Sequence, residues 1–146
     1  MPPRHVGANA RAQARRMQLS THRFADAVVA EAAGKIDYAN ADDFKAKLWP
    51  ALLLNDAERM PIVLDFARVD YISSVGLRVL MLAAKEMSGQ QRRVAIAAPQ
   101  PVVREILEIS RFNVIVDIFA SLRDALAHLS PAALAAYDAS SKRDGG

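Results

Sequence analysis

Cysteine is absent from the 146 residues. That removes disulfides, thiolate metal sites, Cys-x-x-Cys redox chemistry and a cysteine nucleophile together. Histidine is scarce: His5, His22 and His128 stand far apart, and no acidic cluster has the spacing of a metal-ligand set. No apolar run approaches the roughly 18 residues of a membrane helix, and the N-terminus lacks the apolar stretch of a secretory signal, so no membrane span and a cytoplasmic location are expected. Neither Gly-x-Gly-x-x-Gly nor Gly-x-x-x-x-Gly-Lys-Ser/Thr occurs. What is there, 52% hydrophobic and 24% charged residues, suffices for one buried core but not for two ordinary domains.

The formal charge of +3 is unevenly placed. Residues 1–23 carry Arg4, Arg11, Arg15, Arg16 and Arg23 and no acid, which leaves the remainder at −2. This stretch reads as a basic, flexible leader with a weak Ala/Arg-rich helix over Ala10 to Leu19. A solvated tail explains it. So would a nucleic-acid arm, an anionic-membrane contact or a transit-like segment, but no aromatic residue interleaves the arginines as a stacking platform requires.

From Phe24 onward, short apolar runs alternate with longer amphipathic stretches, the pattern of an α/β domain. Strands are expected over Ala27 to Glu31, Pro61 to Phe66, Val94 to Ala98 and Val114 to Phe119. The near-continuous runs Ile62-Val-Leu64 and Val94-Ala-Ile-Ala97 suit central strands covered on both faces. Four helices are expected. Asn40 caps the first, with Asp42 and Asp43 in its first turn, Phe44, Leu48 and Leu52 on its inner face, and Pro50 kinking or shortening it. Ser73 or Ser74 opens the second, which runs to about Met87 with Leu77, Leu80, Met81 and Ala84 inward and Gly89 at its end. The third begins at Pro101 and buries Val102, Ile106 and Ile109. Ser121-Leu-Arg-Asp124 gives the fourth a capping box. After Leu129 the composition turns to Pro, Ala, Ser and Gly and reads as a flexible tail. The expected organisation is a leader over 1–23, one domain over 24–130 and a tail over 131–146.

The most informative stretch runs from Val63 to Met81: a buried strand, a short loop, and a helix opened by two hydroxyls. A serine there meets unsatisfied backbone N–H groups and the positive end of the helix dipole. As a cap it contributes about 1 kcal/mol. The same N–H groups and dipole would also stabilise a phosphoryl group on the hydroxyl, with Arg78 one turn after Ser74 to pair with it. Asp37, in Gly34-Lys-Ile-Asp37, is either a turn carboxylate or, if it lies beside Ser74, the like charge that would make phosphorylation change the surface sharply. Hydrolysis by Ser74 is poorly supported, since position 72 is Ile in place of the elbow glycine and no histidine is close in sequence.

The Gly34-Lys-Ile-Asp37 turn, the strand Ile62-Val-Leu-Asp-Phe66, the segment Tyr71-Ile-Ser-Ser-Val-Gly-Leu-Arg-Val-Leu80, and Val94-Ala-Ile-Ala-Ala98 followed by Val103-Arg-Glu-Ile-Leu107 resemble, in order and spacing, the STAS domains of anti-sigma factor antagonists. The resemblance spans roughly Phe24 to Leu129. It implies a single STAS-like α/β domain with a mixed sheet of four to five strands and about four helices mainly on one face. It also implies a non-enzymatic, cofactor-free protein that binds an anti-sigma factor with GHKL-type serine kinase activity. In that family phosphorylation of the serine at the start of the central helix ends binding, and a serine phosphatase restores it. By motif, Ser74 matches the phosphorylated serine, with Ser73 the alternative. Gly76 and Leu77 match the pair after it, and Asp37 matches the acid after the first strand. The implied docking face comprises Asp37, Ser73, Ser74, Val75, Gly76 and Arg78. Two positions depart from the pattern: Ser73 stands where the best-studied antagonists have an aspartate, and Val75 where Ser or Thr is frequent. The alternative within the family is a non-phosphorylated adaptor of a lipid-transport or other signalling complex. No direct contact with nucleic acid is expected.

Overall fold

A computed structural model describes residues 17–53 and 59–145, the last four as backbone only. Strand β1 (Gln18–Phe24) turns directly into β2 (Ala27–Ile36), and α1 (Ala41–Leu53) leads to β3 (Ile62–Ile72). Then follow α2 (Ser74–Gly89), β4 (Val94–Ala97), α3 (Pro101–Ile109), a 3₁₀ turn (Phe112–Val114), β5 (Asp117–Phe119), α4 (Leu122–Leu129) and α5 (Pro131–Gly145).

The five strands lie in chain order, β1 antiparallel to β2 and every later pair parallel. Because the order advances in one direction and parallel crossovers share one hand, α1, α2 and α3 fall on the same face of the sheet. There they bury Phe44, Leu48, Leu80, Met87, Val103 and Leu107 against Val28, Ile36, Leu64, Phe66 and Ile96. The other face is left to α4 and α5, which cover Ala27, Val29, Val63 and Ala97 with Ala125, Leu126 and Ala133. Ile62, Val63 and Leu64 are all buried, as are Ala95, Ile96 and Ala97, so the continuous apolar runs are strands covered on both sides.

Several expectations are corrected. Residues 18–23, assigned to the leader, form edge strand β1 together with Phe24, and β1 includes the end of the helix expected over Ala10 to Leu19. Met17 is not helical, and residues 10–16 of that helix lie outside the described residues. Residues 131–145, assigned to a tail, form α5. Its first turn is capped by the buried Ser130, whose Oγ accepts from the Ala133 amide at 3.1 Å and donates to Asp26 in the β1–β2 turn. Beyond that, Tyr137 meets Phe24 edge-on at 5.6 Å and Asp138 pairs with Arg123 at 3.0 Å. Helix α1 continues through Pro50 to Leu53. The inner face of α3 is Val103 and Leu107, with Val102 and Ile109 exposed, and on α2 Val79, Leu80, Ala83 and Met87 are buried while Met81 faces out. The strand expected from Val114 shrinks to Asp117–Phe119 because the 3₁₀ turn takes up the residues before it.

Candidate functional site

Parallel strands end at a common edge, and the helix that follows each begins there. Ile36, the last residue of β2, is paired in register with Ile72, the last of β3. Asp37 and Ser73 therefore leave the sheet side by side, and the Ser73 amide donates to the Ile36 carbonyl at 2.8 Å, stitching the two exits together. A register shift between Gly34 and Lys35 bends β2 into this position, and Gly34 takes a φ of +101° that side chains rarely adopt. Helix α2 approaches closely because residue 76 is glycine. A Cβ there would come within 2.8 Å of the Ile36 carbonyl oxygen and of methyl or methylene carbons of Ile36 and Ile72. Gly76 is thus buried, where it sets the position of the turn and offers no side chain to a partner.

The two serines divide their tasks. Ser73 has extended backbone angles, φ −91° and ψ 173°, and is the N-cap: its Oγ accepts from the Gly76 amide at 3.2 Å. Ser74 is the first helical residue, exposed, with no hydrogen bond to its hydroxyl among the described residues. The first turn of α2 carries no acidic side chain, so the positive end of its dipole is not offset within the helix.

Asp37 does hold a turn: its carboxylate accepts from the Ala39 amide at 3.0 Å, and its own amide donates to Asn40 Oδ1 at 2.8 Å. Asn40 Nδ2 also donates to the Lys35 carbonyl, so this side chain ties the end of β2 to the turn, and the Asn40 carbonyl accepts from the Phe44 amide at 2.9 Å in the first turn of α1. Around this edge stands a surface that combines charge with exposed apolar groups. Arg78 is exposed one turn after Ser74. Tyr38 is 83% exposed, Tyr71 43%, Val75 42% and Leu82 38%. Val75, Arg78 and Leu82 follow one another at helical spacing along α2. Tyr38, Tyr71 and Leu82 escaped the sequence reading. Tyr38 adjoins Asp37, but exposure of an apolar residue has no signature in a single sequence.

The described histidines are elsewhere. His22 lies on β1 near Phe24 and Tyr137, and His128 packs on Phe119 with ring centroids 5.2 Å apart, both on the α4–α5 side of the sheet. Among the described residues no group of three or more His, Asp or Glu could hold a metal ion, and no helix is long and apolar enough to cross a membrane. Burial raises the carboxyl of Asp65 above its ordinary 3.8; the Ala67 amide opposes the rise and the charge of Glu31 adds to it. Asp65 sits on that second face, away from Ser74.

The family model for the STAS domain matches residues 18–125, a span that begins at β1 and stops within α4. A Bordetella bronchiseptica protein, BtrV, named as an anti-sigma factor antagonist, is 38% identical over 111 residues, which is 76% of this chain and 92% of that protein. Among solved structures, an anti-sigma factor antagonist from Thermotoga maritima superposes with a TM-score of 0.68 at 22% identity, over 76% of this chain and 93% of its own. One from Mycobacterium paratuberculosis gives 0.68 at 19% identity, over 77% and 93%. The strand order, the serine-capped central helix docked by its glycine, and these matches lead to one conclusion: the chain belongs to the STAS domain family.

Proposed function

We propose that this protein is a cytoplasmic anti-sigma factor antagonist that works by partner switching. The edge formed by Asp37, Ser74, Val75 and Arg78, with Tyr38, Tyr71 and Leu82 around it, docks an anti-sigma factor that is also a GHKL-type serine kinase. The division between the serines carries this reading. Ser73 is occupied as the cap, which leaves Ser74 as the hydroxyl open to a kinase at a helix N-terminus without acidic compensation. The name of the Bordetella relative supports the class of partner.

In the switch, Ser74 Oγ attacks the γ-phosphorus of ATP, its proton passes to a base of the kinase, and ADP leaves. The product brings a charge of about −1.5 to −2 to the edge that holds the Asp37 carboxylate. Free N–H groups and Arg78 stabilise it on the antagonist itself. A partner seated over the unmodified edge would have to desolvate that charge, so docking ends, and a serine phosphatase resets the switch. The antagonist is here a substrate and not a catalyst.

The test is intact-mass and peptide mass spectrometry after incubation with ATP and any GHKL-type serine kinase encoded beside this protein, comparing wild type, Ser73→Ala and Ser74→Ala. One phosphate that survives Ser73→Ala and vanishes in Ser74→Ala supports the switch. No phosphate, with the kinase active on another substrate, would instead favour a constitutive adaptor, a reading suggested by Ser73 standing where related antagonists have an aspartate. Deleting residues 1–16, which leaves β1 intact, should change neither result; loss of activity would give the arginine leader a direct part.

A further inference from the structure

Three turns along α2 from Ser74, about 16 Å away, a second surface opens. A trough of about 500 Å³ runs between the outer side of α2 and the β4–β5 edge, lined by Met81 and Lys85 from α2, by Val114, Ile115 and Asp117 opposite, and by Arg93 ahead of β4. Its apolar walls stand out of the surface: Val114 is 79% exposed, Ile115 45% and Met81 36%. From Arg111 to Val116 only Phe112 and Val116 serve the core, so the two residues between them that form the wall are not there for folding. Arg111, held at φ +59°, starts the tight turn that presents them. Scattered exposed apolar residues are normal on a monomer, but several lining one concavity mark a site of association.

The charges decide what fits. The ionisable groups along the trough are Lys85, Arg92, Arg93 and Asp117. Arg92 is buried and bonded to the Met60 and Leu52 carbonyls. Arg93 reaches Asp117 only at 3.7 Å, both side chains more than half exposed. Lys85 makes no ion pair among the described residues, so the trough is net cationic. The arginine-rich leader of this chain is therefore an unsuitable occupant, being of like charge. We propose that the trough is a second docking site, independent of Ser74, that takes an acidic amphipathic segment of a protein partner. The segment sets its apolar side chains against Met81, Val114 and Ile115 and its carboxylates toward Lys85 and Arg93. One wall is already a helix, so the arrangement is that of a helix laid in a groove.

The experiment is a ¹⁵N chemical-shift titration of the whole protein with a synthetic amphipathic helical peptide, leucine along one stripe and glutamate beside it, against its counterpart with lysine in place of glutamate. Expected are saturable shifts at the amides of Ala84, Lys85, Val94, Ile115 and Val116 with the acidic peptide alone, weakened by added salt. Lys85→Glu should weaken binding roughly tenfold. Val114→Ser, at an exposed position, should weaken it without disturbing the fold. Ser74→Asp should leave it unchanged, which separates this site from the switch. Equal binding of both peptides, shifts confined to other faces, or no saturable shift would overturn the proposal. So would dilution-dependent shifts at the same amides without peptide, which would make a second copy of this chain the occupant.

Discussion

Replacing Gly76 with alanine tests whether the edge is set by contact between backbones. The added Cβ meets the Ile36 carbonyl oxygen at 2.8 Å, and that oxygen is already fixed by the Ser73 amide, so it cannot turn aside. The Ile36 and Ile72 carbons at the same distance belong to fully buried side chains with little room to rotate. Relief must come from moving the first turn of α2 outward. Overpacking of this kind costs about 1–3 kcal/mol, and the better helix propensity of alanine returns up to about 1 kcal/mol. A net loss of about 1–2 kcal/mol, or roughly 3–8 °C in Tm, is expected. The comparison is Gly89→Ala at the other end of the same helix, where a Cβ would meet nothing within 4 Å. That variant should be neutral or more stable by up to about 1 kcal/mol. Urea and thermal denaturation of both, with unchanged m values, give the answer. If Gly76→Ala is as stable as Gly89→Ala, the close approach does not govern this edge. If it is destabilised as expected, the phosphorylation proposed at Ser74 should also slow, because the outward shift of the first turn displaces Ser74, Val75 and Arg78 from the edge that a kinase would dock on.

The remaining predictions concern other parts of the chain. Ser73→Ala removes the cap on the Gly76 amide and should cost about 1 kcal/mol, whereas Ser74→Ala should stay within about 0.5 kcal/mol; equal losses in urea denaturation would contradict the assignment of the cap. Arg92→Met strips donors from the Met60 and Leu52 carbonyls at a buried site and should cost about 3 kcal/mol; a loss below about 1 kcal/mol would show that water replaces the guanidinium. Asp65 holds its proton more tightly in the native state than in the unfolded chain, so stability falls as pH rises through the range just above 3.8, and the cost persists at neutral pH. Asp65→Asn keeps an oxygen for the Ala67 amide, and should raise the urea midpoint at pH 7 and flatten that part of the profile; an unchanged midpoint would mean that the carboxylate is not strained by burial.

The central layer of the fold was legible because its strands and crossover helices carry strong apolar periods. What was missed has little apolar signal. In β1, Gln18-Leu-Ser-Thr-His-Arg-Phe24 is an edge strand with mostly exposed side chains, so pairing with β2 defines it more than burial does. In α5, Ala133 is buried and Leu134 and Tyr137 are partly covered, among small residues that read as linker. On α3, two apolar stripes one residue apart compete, and the sheet selects Val103 and Leu107 over Val102 and Ile109. At the site, the types and spacing of Asp37, Ser73, Ser74 and Gly76 were plain. Which serine caps was not, because either hydroxyl suits an N-cap and only the backbone angles at Ser73 decide. That Asp37 leaves the sheet beside Ser73 depends on the register of β2 with β3, which neither segment encodes alone.

The antiparallel course of β1 has a practical result. Its first residue pairs with Ala33, and Met17 lies against Gly34, so the chain enters the sheet a few residues from Asp37. Helix α5 instead departs over the opposite face. An affinity tag, fluorescent fusion or surface tether joined ahead of Met17 is delivered to the edge that carries Ser74 and would compete with whatever binds there. Helix α5 starts beside Asp26 at the other end of β2 and climbs the opposite face to Ser140 and Ser141, near His22 and Glu31, so a label attached behind it has the sheet between itself and α2.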